Sequence, residues 1–445
     1  MSRDTRYDDA LPRFAALVRD VLGAAALEQH LFLRDAEGRL TFVVRNPHSP
    51  GEDVERLRAK AAEALAPYVT SATGSVATPE EMFDPSLERD DAGSLELLCH
   101  DAFQGTVRVV ERRVLGQDWL SPPEQEPPTP GSRIVVFASH KGGVGRSTAL
   151  AVAASDLAAR GGNVLVVDLD LESPGAGEVL LASDEVPEFG ALDFFVENGL
   201  DNLDEGFFSS LVGRRASPAA GTIDVVPAVG ARSRAHPHNV LGKLGRAYLE
   251  DADPSGKPRS LLLQTRDLLR ELTRRRTYSA VLVDARAGLN ESTASAILGL
   301  GADILLFGMD TPQTFQGYRY LLSHLRRFVP ATPQENDFRL RLRMVHARAS
   351  TMPEAQAAFR DRAFELFADY LYEAPQGEAT QGSLDLFNFD LDDLTAPHYA
   401  WPILDDASYR EFDPLSHPEM LLEPVYARTF GKFLDGLRAR VEGKG

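Results

Sequence analysis

From residue 133 onward the chain repeats one pattern: a short, nearly unbroken apolar run, a glycine-bearing turn, then small and apolar residues at helical spacing. RIVVFAS (133–139) leads into STALAVAASDLAARGG (147–162), and NVLVVDLD (163–170), TIDVVPAVG (222–230), YSAVLVDARAG (278–288), ADILLFGMD (302–310) and RLRMVHARAS (341–350) continue the series. Strands without polar alternation are covered on both faces, and their alternation with helices predicts an α/β fold with a mostly parallel, doubly wound sheet. Ligands of such sheets collect at the carboxyl ends of the strands. The longest apolar run, 294–309, is broken by Asp303 and by glycines. It predicts a helix end followed by a buried strand and is too short to cross a bilayer.

The first 120 residues carry a different pattern. LPRFAALVRDVLGAA (11–25) and EDVERLRAKAAEALAPYV (52–69) have helical apolar spacing, HLFLRDAEGRLTFVVR (30–45) predicts two strands joined by a tight turn, and TVRVVERRVL (106–115) a further strand. These predict a small α+β domain over 1–120, in which no catalytic constellation is evident. SPPEQEPPTP (121–130) is proline-rich and polar, as a stiff linker would be. The domain beyond it runs from 131 to 445 and ends in an acidic extension.

The chemistry-bearing stretch is KGGVGRST, between the strand at 133–139 and the following helix. Gly142, Gly143 and Gly145 have no Cβ, so the backbone can turn sharply and aim successive N–H groups at phosphate oxygens, with the helix N-terminus behind them. Gly142, Gly143, Val144, Gly145, Arg146, Ser147 and Thr148 are therefore the expected nucleotide-binding residues, and the Ser147 hydroxyl is placed for a magnesium ion. Asp168 and Asp170 end a second strand, Asp170 standing 24 positions after Arg146, and Asp284 ends a third. Asp284 is expected to hold magnesium through water, with Ser147 and Asp168 beside it.

These motifs resemble the ParA/MinD-type ATPases of the SIMIBI class, whose deviant Walker A loop runs KGGxGK followed by Ser or Thr. The likeness spans residues 133–350 and then fades. It implies ATP and Mg2+ as ligands, a dimer closed around two nucleotides, Lys141 reaching the nucleotide of the other subunit, and Asp170 positioning the attacking water. Two departures stand out. The family's proline pair after the third carboxylate is replaced by Arg286-Ala287-Gly288, and Arg146 stands in place of lysine, as in a ParA-like subgroup named for the KGGVGR variant. Arginine keeps the charge and binds phosphate in a forked manner, but it is larger and planar, so the expectation is retained nucleotide binding with slow hydrolysis in which Lys141, Asp170 and Arg146 take part. The alternative is a non-hydrolysing nucleotide-binding scaffold in a bacterial defence, secretion or positioning system. The family reads the base with loops after its late strands, which puts His346, Arg348 and the stretch around Pro402 forward, each with a structural role as the plainer reading.

Net charge and cysteine content narrow the partners. A net charge of −19 disfavours a nucleic-acid coat. RDLLRELTRRR (266–276) is the best basic patch, read as a solvated helix face in preference to a DNA contact. The stripe of Tyr426, Phe430, Phe433, Leu437 and Val441 is read as a helix packed on the sheet in preference to a membrane-surface helix. The acidic DLFNFDLDDL (385–394) is read as a solvated loop. The single cysteine, Cys99, leaves no internal disulfide and no paired-cysteine metal site. The charged start MSRDTRYDDA resembles no signal peptide, and the expectation is a cytoplasmic, nucleotide-dependent homodimer that signals to a protein partner through residues 1–120.

Overall fold

The computed structural model describes residues 5–45, 51–89, 94–99, 102–198, 200, 203–215, 220–252, 258–330, 336–373 and 386–443. The chain divides into two compact units, Met1–Leu120 and Ser121–Gly445.

In the smaller unit, β1 (Leu31–Arg34) and β2 (Leu40–Val43) form the expected antiparallel hairpin, and β3 (Val76–Ala77), β4 (Leu95–Cys99) and β5 (Gly105–Glu111) complete a mixed sheet of order β3-β2-β1-β5-β4. The helices Tyr7–Leu22 and Glu52–Leu65 pack their apolar stripes against it, burying Phe14, Val18, Leu57 and Leu65 with Phe32, Phe42 and Val109. The Arg34 guanidinium is buried between Glu111, at 2.8 Å, and the Tyr7 hydroxyl, at 2.8 Å. Cys99 is buried and unpaired, and burial pushes its thiol up to about 11.

The larger unit is built on β6 (Ile134–Ser139), β7 (Asn163–Asp168), β8 (Gly213–Arg215), β9 (Thr222–Val226), β12 (Ala280–Asp284), β13 (Asp303–Gly308), β14 (Leu342–Ala349) and β15 (Trp401–Leu404). A separate two-stranded ribbon joins β10 (Asp251–Ala252) and β11 (Pro258–Arg259). The sheet order is β15-β14-β13-β6-β12-β7-β9-β8, all parallel except the edge strand β8. Both edge strands are short: β8 is the polar Gly-Arg-Arg, and β15 is Trp-Pro-Ile-Leu, apolar but only four residues long and carrying a proline. Helices cover both faces, the α/β doubly wound fold the pattern predicts. One layer holds the helix Arg146–Ala159, whose alanines let it lie close on the sheet, and the C-terminal helix Glu423–Val441. Tyr426, Phe430, Phe433 and Leu437 of that terminal helix are buried, with Val441 packed against them, so the stripe belongs to the core. Among the described residues no helix is long and apolar enough to cross a membrane.

The proline-rich stretch is fastened to this unit. The Glu124 N–H donates to the Leu298 carbonyl at 2.7 Å, Arg341 donates to the Glu124 carbonyl at 2.7 Å, and a Cβ on Gly301 would lie 2.3 Å from Glu126 backbone. Of the acidic stretch, Asp385 lies outside the described residues; beyond it Phe387 and Phe389 pack on Tyr372 while Asp390 and Asp392 face solvent.

Candidate functional site: a phosphate-type loop over three strand-end aspartates

Strand β6 ends at Ser139 and the helix begins at Arg146, so residues 140–145 make the whole connection. Two glycines in it, Gly143 (φ +75°) and Gly145 (φ +87°), hold left-handed backbone that other residues avoid. The space where their Cβ atoms would sit is open. Among the described residues, no backbone N–H from Gly142 to Thr148 makes a hydrogen bond of ordinary geometry to a protein acceptor. Amides without bonded protein acceptors, positive-φ glycines and the start of a 14-residue helix together make an arrangement that favours anions. Val144 is buried and anchors the loop in the core, while Lys141, Gly142 and Gly143 are exposed. Thr148 lines a cleft beside the loop with Arg348, Asp405 and Arg410.

Parallel pairing of β6 with β12 and of β12 with β7 brings the three aspartates to the same sheet end, with Asp284 in register with Asp168. The Ser147 hydroxyl donates to Asp284 Oδ2 at 2.6 Å. Gly175 lies against this pair: a Cβ there would come 3.1 Å from Ser147 Oγ and 3.9 Å from Asp284 Oδ2.

Arg146 does not extend into the loop. Its Nε donates to Asp284 Oδ1 at 2.5 Å, Nη2 to Asp170 Oδ2 at 3.0 Å and Nη1 to Ser139 Oγ at 3.3 Å. The side chain is 8% exposed; burial works against its charge, but Asp284 and Asp170 outweigh that and hold its pKa above the usual arginine value. Each terminal nitrogen keeps a second N–H beyond these bonds. Asp170 hydrogen-bonds through one oxygen only among the described residues: Oδ1 is buried and has no partner among them. Burial raises the Asp170 carboxyl, with Arg146 pulling the other way.

Asp168, expected beside the metal, uses both oxygens on backbone. Oδ1 accepts from the Asp170 N–H at 3.0 Å, and Oδ2 from the N–H groups of Gly175 and Ala176 at 3.0 Å and of Gly177 at 3.4 Å. It thereby ties the segment 169–177 to the sheet end. Burial, then the neighbouring Asp284, raise its carboxyl to about 7, while the amides of Gly175 and Asp170 pull it back. The sequence signal for that tie is SPGAG after the aspartates, small residues that let three amides converge on one oxygen.

Arg286 pairs with Glu172. His346 is away from the loop, buried and stacked flat on Phe359 with ring centroids 4.0 Å apart. Arg348 reaches the loop and donates to the Gly143 carbonyl at 2.9 Å. The basic stretch 266–276 is occupied internally: Arg270 pairs with Asp267, Arg274 with Glu271, Arg275 with Glu205, Arg276 with Asp224, and Arg266 donates to the carbonyls of Glu126 and Gly299. Among the described residues no group of three or more His, Cys, Asp or Glu side chains can hold a metal alone. Ser147 and Asp284 suit magnesium, which takes few protein ligands and completes its shell with water and phosphate oxygens.

The sequence matches no protein-family model and no curated protein. The solved structures to which the chain is similar include pNOB8 ParA bound to nonspecific DNA, at 14% identity and a TM-score of 0.41, with 70% of this chain and 98% of that one covered. A ParA family ATPase from Chlorobium tepidum is similar at 16% identity and a TM-score of 0.41, covering 68% and 99%. A variant of Cyanothece McdA in complex with ATP is similar at 15% identity and a TM-score of 0.37, covering 70% and 95%. At such identities and scores this likeness carries no part of the site's chemistry, which stands on the loop and the aspartates of this chain.

Proposed function

We propose that this chain binds a nucleoside triphosphate, ATP, with Mg2+ in the 140–148 loop and hydrolyses it slowly, as a molecular switch. The observation that carries this is the run of amides without bonded protein acceptors from Gly142 to Thr148, beside the Ser147–Asp284 pair and Asp170 Oδ1, which has no partner among the described residues. The amides and the helix N-terminus bind and orient the phosphates. Ser147 and Asp284 hold the metal, which when bound neutralises charge on the β and γ oxygens. Asp170 accepts a hydrogen bond from the attacking water and holds it in line with the terminal phosphorus. Asp168 takes no direct part; it fixes the backbone on which Asp170 stands.

Arg146 explains the slow rate. Its guanidinium occupies one oxygen of Asp170 and one of Asp284, the two carboxylates the reaction needs. The spare N–H groups on Nη1 and Nη2 turn to phosphate oxygens when a triphosphate enters, which loosens the hold on Asp170. Hydrolysis waits on that rearrangement. Lys141, exposed at the loop apex, reaches the nucleotide of a second copy, so that ATP draws two chains together and its loss releases them. The unit of residues 1–120 passes the state to a protein partner.

Calorimetric titration with magnesium and ATP, sedimentation in the same buffer, and phosphate release test the scheme together. Binding, a shift to dimer with ATP, and turnover below about 1 per second, the low end of ordinary enzyme rates, are expected. Lys141→Ala abolishes the dimer and the turnover while leaving binding within a few fold. Absence of any heat of binding overturns the reading; binding with unaltered turnover in Lys141→Ala overturns the cross-subunit role.

A further inference from the structure

We infer that Arg348 is a positioning residue of the phosphate loop: it clamps the Gly143 carbonyl and so fixes the direction of the Val144 N–H, a donor for the bound phosphate. This rests on the reading of the loop as a phosphate cradle. The peptide between Gly143 and Val144 is planar and trans, so its C=O and N–H point to opposite sides. With the carbonyl held by Arg348 Nη2 at 2.9 Å, the Val144 N–H faces away from Arg348; among the described residues it makes no hydrogen bond of ordinary geometry, only a loose turn toward the Lys141 carbonyl. The clamp matters because Gly143 itself is permissive. At φ +75°, with open space about it, nothing on the residue resists a peptide flip that would turn a carbonyl oxygen toward the anion.

The backbone of Arg348 shows that this placement is not incidental. Arg348 has φ +51° and, among the described residues, shares positive φ outside glycine only with Phe83 of the smaller unit. It lies where the register of β14 against β15 shifts between His346 and Ala349, and its side chain alone in that strand is exposed. Left-handed backbone disfavours arginine relative to glycine and persists where function keeps it. Here the irregular strand end swings one guanidinium onto the loop, beside Val144, Gly145 and Thr148.

The test uses Arg348→Gly and Arg348→Lys in the full chain, read by thermal unfolding and by titration with magnesium and either ATP or ADP. Glycine relieves the backbone and removes the clamp, so the expected result is an unchanged or raised Tm together with roughly tenfold weaker binding of both nucleotides, the scale of one charged hydrogen bond. Lysine keeps a cation within reach and restores most of the affinity. A purely structural role would lower Tm and affinity together. Wild-type affinity in Arg348→Gly overturns the inference and leaves the cradle standing; no nucleotide binding by the unaltered chain removes the cradle and the inference with it.

Discussion

Strand β14 starts beside one buried arginine–carboxylate cluster and ends beside the loop that covers another. At its start Arg339, 0% exposed, donates through Nε to both Asp337 oxygens (3.1 and 2.9 Å), through Nη2 to Asp337 at 2.6 Å and through Nη1 to Glu373 and the Leu371 carbonyl (2.9 and 2.8 Å). Its guanidinium lies 3.8 Å from the Phe387 ring centroid. Neither Arg339 nor Asp337 has a buried polar atom without a partner. The Arg146 cluster is somewhat less buried, the side chains of Arg146 and Asp170 being 8% exposed each, and it is unfinished: Asp170 Oδ1 has no partner among the described residues, and a row of amides without bonded protein acceptors lies alongside. A complete network holds a fold, whereas one with vacant capacity on several members at once is built to receive something.

The largest effect is expected at the Arg339 cluster. Arg339→Ala leaves Asp337 buried without its bidentate partner, and removing one member of such a pair costs about 3–5 kcal/mol of stability. Urea unfolding at neutral pH measures it, and nucleotide affinity per folded molecule stays unchanged. A loss under about 1 kcal/mol would mean the network relaxes around the gap and that its completeness carries little stability.

On the unfinished side the effect falls on rate. Asp170→Asn is nearly isosteric and keeps an oxygen for Arg146, but it cannot take the charged hydrogen bond from water; turnover is expected to fall about 100-fold or more, near 2.7 kcal/mol of barrier, with stability moved by less than about 1 kcal/mol. Single-turnover phosphate release, alongside unfolding of the same sample, separates the two quantities. Equal turnover in the variant would assign the water to another group; a stability loss like that of Arg339→Ala would make Asp170 a structural member.

Strands with both faces covered left continuous apolar runs, so β6, β7, β9, β12, β13 and β14 were legible, as were the loop and the three strand-end aspartates. What pattern could not show was direction. KGGVGRST reads as though Arg146 serves the phosphate; the fold turns it back onto Asp170 and Asp284, because those carboxylates arrive from residues far along the chain. Asp168 and Asp170 look alike at a strand end, yet the turn through 175–177 brings its amides onto Asp168 and leaves Asp170 Oδ1 without a partner among the described residues. Edge strand β8, Gly-Arg-Arg, carries no apolar run, and β15, Trp-Pro-Ile-Leu, is apolar but only four residues long with a proline inside it, so neither has the pattern of the central strands. Arg348 and His346 stood two positions apart as equal candidates for the site, and only the irregular end of β14 sends one to the loop and the other into the core.

His346 gives the smallest expected effect and one with a definite sign. Its ring is buried flat against Phe359, and burial lowers its pKa to about 4. An unfolded histidine takes a proton near pH 6.5. Between those values the unfolded chain binds a proton that the folded chain refuses, so stability from this residue is present above pH 6.5 and is lost as pH falls toward 4. At pH 5 the loss is about 2 kcal/mol. His346→Phe keeps the stacked ring, has room in the cavity of about 460 Å³ that His346 lines with Trp401 and Lys432, and cannot protonate. Its unfolding free energy is therefore expected to fall less than that of the unaltered chain between pH 7 and pH 5, with nucleotide binding at pH 7 untouched. Equal acid losses in the two proteins would place the titration elsewhere. Weakened binding at pH 7 would return His346 to the site and erase the distinction drawn between the two ends of β14.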